Sequence, residues 1–225
     1  MYAFLVFALL GQQEPIVQPE RWEIKLPFEV GKTYNWSVAV DTTIQGSALT
    51  AEFKAVLSMK TKEEGGGLKG TMGWQELYVN GEPAGEDATA TNAILNSRGM
   101  LINAESELGE DFRRMASVLF LIYPEAPIAP KDKWSYTYEA KKDSKNYKIK
   151  FDFEVMGIEK IKDQDTLKIF AKASEEGDTP MTSEGYFWVS KDGIPQKISI
   201  NIKNWPVPQA GQPLDVSLVA TYIAK

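Results

Sequence analysis

Apolar and polar residues alternate along most of the chain after Arg21. Tyr34, Trp36, Val38 and Val40 hold one set of alternate positions, with Asn35, Ser37 and Asp41 among the intervening ones. Ala51, Phe53, Ala55, Leu57 and Met59 repeat the pattern against Glu52, Lys54 and Lys60. Tyr147, Ile149, Phe151, Phe153 and Val155 do the same against Lys148, Lys150, Asp152 and Glu154. Shorter runs follow at Leu167-Ile169-Ala171, Ile198-Ile200-Ile202 and Val216-Leu218-Ala220-Tyr222. A strand sends successive side chains to opposite faces, so period two predicts antiparallel strands with one buried and one wet face. Asn80-Gly81, Arg98-Gly99 and Asp192-Gly193 supply hairpin turns, and Gly65-Gly66-Gly67 a loose loop. About ten strands are expected on these rules.

One stretch departs from period two. Leu108, Phe112, Met115, Leu119 and Ile122 recur at helical spacing, which predicts a helix over 107–123. Ser106 suits its N-cap, Glu107, Glu110 and Asp111 suit the positive end of the dipole, and Pro124 stops it. Val118, Phe120 and Leu121 widen the apolar stripe, so the C-terminal end should be deeply buried. The prolines at 124, 127 and 130 then make either a stiff spacer or a polyproline ligand for an aromatic groove. Trp205-Pro206-Val207-Pro208 reads as a second rigid connection, before the last strand.

The halves on either side of the helix resemble each other as a duplication would. Trp36-Ser37 and Trp134-Ser135 are 98 residues apart, as are Phe53 and Phe151, while Leu68-Lys69 and Leu167-Lys168 are 99 apart. The expected fold is therefore mainly β: a curved antiparallel sheet, a half-barrel or open barrel, with the helix on its concave face. Residues 14–225 would form a single β-rich domain, with one half over about 21–105 and the other over about 128–225.

The N-terminal segment is different again. Tyr2–Leu10 is a run of nine apolar residues followed by Gly11-Gln12-Gln13, too short for the roughly 20 residues of a membrane span but matching the apolar core of a secretory signal. No Lys or Arg precedes it, and an N-terminal core strand is the alternative. A signal peptide over 1–13 implies a periplasmic or secreted protein that is not integral to the membrane.

Composition narrows the chemistry. The 225 residues include no His and no Cys, which removes imidazole and thiolate metal sites, Cys nucleophiles, Ser-His-Asp relays and disulfides. A formal charge of -6 argues against a nucleic-acid surface. S-x-x-K, G-x-S-x-G and G-x-x-x-x-G-K-[ST] are missing, and the glycine-rich stretch from Gly65, although Gly65, Gly67 and Gly70 meet the G-x-G-x-x-G spacing, lacks the helix that motif requires. Asp163-Gln-Asp165 lacks the glycine and final Glu of a calcium loop. Carboxylate pairs, Asp41 with Asp152 for example, leave a glycosidase as the enzymatic rival. The expectation is a non-catalytic protein without cofactor or metal.

Aromatic residues are the enriched chemistry, with six Trp, nine Tyr and ten Phe. The apolar face of about ten strands exceeds what one helix covers, so the surplus closes on itself or holds an apolar or lipid-like ligand. Expected lining residues are Trp36, Phe53, Phe151, Phe153 and Trp188 from strands, with Phe112, Met115 and Leu119 from the helix. The competing reading is a closed core whose loops 61–67 and 124–130 bind a protein partner or a glycan.

A short export signal, a largely antiparallel sheet, one helix between its halves and the hairpin Gly185-Tyr-Phe-Trp-Val-Ser-Lys-Asp-Gly193-Ile-Pro together resemble bacterial envelope proteins of half-barrel fold. The periplasmic lipoprotein-carrier proteins and related mycobacterial lipoproteins have that shape, although this chain has no lipobox cysteine. The resemblance implies an apolar-ligand cleft between sheet and helix.

Overall fold

The computed structural model describes residues 20–105, 109–142, 145–207 and 211–224. The apolar run 1–11, with its expected signal peptide, lies outside the described residues. Twelve strands make one antiparallel sheet. The first half contains β1 Thr33–Ile44, β2 Ser47–Lys62, β3 Leu68–Val79, β4 Glu82–Pro83, β5 Ala88–Leu95 and β6 Leu101–Glu105. The second contains β7 Lys133–Lys142, β8 Lys145–Ile161, β9 Gln164–Glu175, β10 Thr182–Val189, β11 Pro195–Trp205 and β12 Leu214–Tyr222. The strand order is β6-β5-β3-β2-β1-β12-β11-β10-β9-β8-β7, with β4 a short addition to β3. The sheet is not closed: β6 and β7 are its edges.

Register follows the alternation. Val38 lies between Phe53 of β2 and Ala220 of β12, and Val40 between Ala51 and Leu218. Ile198, Ile200 and Ile202 continue the inner layer on β11, and Phe187 sits between Ile198 and Ile169. Corresponding strands of the two halves keep their pairing. Trp36 opposes Ala55 across β1 and β2, and Trp134 opposes Phe153 across β7 and β8, so the sequence offset of 98 holds for both partners.

Rolling the sheet brings its two edges together, and side chains bridge the seam where no backbone ladder forms. Asn96 donates from Nδ2 to the Tyr136 hydroxyl (2.8 Å), and the Tyr138 hydroxyl donates to the Ile102 carbonyl (3.2 Å). The Arg98 guanidinium lies 5.0 Å from the centre of the Tyr136 ring, a cation–π distance.

The helix is shorter than its periodicity suggests. Helix α1 covers Gly109–Ser117, nine residues rather than the span 107–123. Its proposed cap, Ser106 with Glu107, is outside the described residues. At the other end the Leu119 amide donates to Ala116 O (3.0 Å) and the Phe120 amide to Ser117 O (3.4 Å), the tightened bonds of a final turn. The Tyr123 amide then donates to Arg98 O (2.8 Å), which commits the chain to an irregular path. Val118-Leu-Phe-Leu-Ile-Tyr123 has no polar side for a surface helix, and Val, Phe, Ile and Tyr are weak helix formers. Val118, Leu121, Ile122 and Tyr123 are all buried, and the Trp134 indole caps the Ile122 carbonyl (2.8 Å). Tertiary burial overrides the apparent period.

A strap ahead of β1 covers one end of the rolled sheet. Trp22 pairs with Ile128 through both backbone bonds (2.7 and 2.9 Å), and Ile24 and Phe28 are buried. Arg21 donates from Nη2 to Pro127 O (2.6 Å) and meets Asp132 at 2.7 Å. The proline segment is thus docked at its C-terminal part, with Ile128 and Ala129 buried and residues 125–127 exposed.

Candidate functional site

A cleft runs between the inner face of β1–β3 and the overlying stretch from α1 to Tyr123. It has two adjoining lobes. The outer lobe, about 250 Å³, lies under Phe112, Met115 and Ala116 of α1 and is flanked by Trp74, Leu77, Trp205 and Val207. The inner lobe, about 100 Å³, is bounded by Phe28 of the strap, Trp36, Val38, Leu57, Leu121, Tyr123 and Ile198. Phe53, Ala55, Met72, Gly73 and Leu119 belong to both. The space has a local cause: Ala55 sits between Trp36 and Trp74 in the register, so a methyl group lies where its neighbours carry indoles. Trp74 stacks on Phe112 at 6.0 Å and lies 6.5 Å from Phe53, which ties the floor to the helix.

No charged side chain lines either lobe, and three of the four indole and phenol groups in the wall are already partnered. The Trp36 indole donates to Pro195 O (3.0 Å), the Tyr123 hydroxyl to Gly193 O (2.9 Å) and the Trp205 indole to Met115 O (3.1 Å). Burial, with a smaller contribution from Asp192, pushes the Tyr123 phenol far above its ordinary pKa. The hydroxyl therefore stays neutral. What remains facing the cleft is hydrocarbon, sulfur and aromatic surface.

A buried charged pair lies behind the helix. Arg114 donates from Nε and Nη2 to the two oxygens of Glu175 (3.1 and 2.6 Å), and Glu175 also accepts the Met181 amide (3.0 Å). The Glu175 side chain is 3% exposed, so this is a buried clamp between α1 and the end of β9. Arg113 lies over the Tyr138 ring at 5.5 Å.

The eight residues singled out by periodicity separate into three groups. Trp36, Phe53, Phe112, Met115 and Leu119 line the cleft. Phe151 and Phe153 face inward but lie on the far side of the sheet. They stack at 6.3 Å, with Trp134 at 4.9 Å from Phe153, in packed core. Trp188 is on the opposite, outer face. Its neighbours across the ladder are Lys168 and Lys197, whose ammonium groups lie 5.3 and 4.9 Å from its ring, and its indole donates to Glu159 (2.8 Å). Tyr186-Phe187-Trp188-Val189 is apolar on both faces, so alternation alone left the inward pair undecided; Ile169 and Ile198 select Phe187. Trp74 and Trp205 were not singled out. Met72-Gly73-Trp74 carried a period-two signal, whereas Trp205 follows a register shift after Ile202 that breaks the alternation.

The alternative sites fare differently. Asp41 and Asp152 stand on β1 and β8 with four strands between them, on the order of 20 Å apart at the usual strand spacing. That is too far for a glycosidase pair. Asp163 and the residue before it take positive φ (65° and 47°) in the β8–β9 hairpin turn, so Asp163-Gln-Asp165 is turn chemistry. Among the described residues no group of three acidic side chains is placed to hold a metal. None of their helices is long and apolar enough to cross a membrane.

The fold defines a class, a mainly β protein whose open antiparallel sheet rolls around a short helix. No family model and no curated protein matches the chain. Among solved structures it is similar to a Bacteroides fragilis protein designated as exported and as having a YmcC-like fold. Identity is 12% over 89% of this chain and 99% of that one, with a TM-score of 0.38.

Proposed function

We propose that this is an exported, non-catalytic binding protein that holds an apolar or lipid-like ligand in the cleft beneath α1. One observation carries the reading: both lobes are walled by apolar side chains, and three of the four indole and phenol groups among them are bonded to backbone carbonyls, Trp74 being the fourth. Water inside would find few partners, short of the two to four that hold a buried water, and an empty space leaves its lining without dispersion contacts on one side. An apolar guest supplies those contacts and meets no charged group. The resemblance to lipoprotein carriers points the same way, and the apolar run at the N-terminus supports export.

The test is uptake of N-phenyl-1-naphthylamine, a dye that fluoresces in apolar surroundings. The native protein should take it up saturably, and Met115→Lys should abolish uptake while leaving the circular dichroism spectrum unchanged. Equal uptake by a folded Met115→Lys protein, or none by the native one, would overturn the proposal.

A further inference from the structure

Beneath both lobes the floor is continuous: Phe53, Ala55, Met72 and Gly73 serve each. The roof is not. Phe112, Met115 and Ala116 cover the outer lobe, Phe120, Leu121 and Tyr123 the inner one, and Leu119 alone borders both. We infer that Leu119 partitions the cleft and sets how long a hydrocarbon segment it accepts, the ligand being a single unbranched chain.

This rests on the binding reading above and adds a specificity-determining residue to it. The Leu119 amide is held by Ala116 O at 3.0 Å, so its backbone is fixed by the last turn of α1 while its half-buried side chain hangs at the junction. Ala55 and Gly73, both small, are common to both lobes below it. A guest that reaches from one lobe into the other has to pass through that neck. A file of methylenes fits such a passage by nudging one leucine rotamer, whereas a rigid fused-ring system would need the roof itself to lift. Because neither lobe carries a charged side chain, a polar head group stays at the outer mouth beside Trp74 and Leu77.

The experiment is a titration with straight-chain primary alcohols from hexanol to hexadecanol, read by calorimetry. In the native protein affinity should rise about fourfold per added methylene, equivalent to about 0.8 kcal/mol, until the outer lobe is full. The increment should then fall, because further carbons must displace Leu119. In Leu119→Ala the steep rise should continue past that length, and in Leu119→Trp it should stop there. Leu119→Met, which conserves volume, should behave as native. Identical length profiles in the folded Ala and Trp variants would overturn the inference, as would a sterol that competes as well as hexadecanol. Failure of the native protein to bind any alcohol would instead sink the binding reading, and this one with it.

Discussion

Replacing Arg114 by Met is the sharpest test of how α1 is held over the cleft. The guanidinium makes a two-pronged contact with Glu175, whose side chain is 3% exposed while that of Arg114 is 24% exposed. Removing one partner of a buried pair leaves an uncompensated charge, typically a loss of 3–5 kcal/mol. Here the Met181 amide still serves Glu175, and water reaches the arginine side. The expected loss is therefore about 2–4 kcal/mol, discounted for that exposure. With a urea slope of about 2–3 kcal/mol/M for a chain of this size, the midpoint should fall by about 1 M. The double variant Arg114→Met with Glu175→Gln should recover most of that loss, since a neutral amide needs no charge compensation and its carbonyl oxygen can still accept the Met181 amide. Urea unfolding followed by far-ultraviolet circular dichroism measures all three. A single-variant loss below about 1 kcal/mol, or a double variant as weak as the single one, would refute the argument.

Three other outcomes are expected. Gly185→Ala should destabilise by about 1–3 kcal/mol in thermal melts, because an added Cβ would lie 2.2 Å from Ser199 O and 2.6 Å from Ile200 Cα, both backbone atoms that the β10–β11 ladder holds in place. Hydrogen bonds from Lys168 and the Trp188 indole hold the Glu159 carboxyl below its ordinary range. Its stabilising contribution is thus complete above the unfolded-state value of about 4.3 and is lost as pH falls through the lower folded-state value. The Trp188 indole N–H resonance should follow that titration below the ordinary carboxylate range, and should lose it in Glu159→Gln. N-terminal sequencing of protein from its native host should begin after the apolar run, near Gly11 to Gln13; an intact Met1 on cytosolic protein would contradict export.

The strands were legible because burial on one side of a pleated sheet needs no long-range information. Val38, Phe53 and Ile200 face inward as their spacing requires. Position around the roll was not legible. Phe53 and Phe151 are equivalent by offset and both point inward, yet only Phe53 reaches the cleft, because α1 and Trp205 lie over β2 and β3. Trp188 failed for a different reason, since a segment apolar on both faces gives alternation nothing to choose between. The helix failed at its C-terminal end, where burial on every side mimics a widening stripe while the chain follows tertiary hydrogen bonds from Tyr123 to Arg98 and from Trp134 to Ile122. The strap does carry a period of two, with Trp22, Ile24 and Phe28 buried and Glu23 and Lys25 exposed, yet it joins no ladder beyond the single bridge from Trp22 to Ile128, and its docking partner was not legible.

The most direct test of the central claim is native mass spectrometry of protein purified gently from its native host, followed by extraction with organic solvent. A cleft with this lining should carry a guest. The expected result is a mass above that of the polypeptide, removed by the solvent and recovered as a lipid or other hydrocarbon-chain molecule, and absent from Met115→Lys prepared in the same way. A ligand-free mass for the native protein, with no uptake of fluorescent fatty acids, would contradict the account.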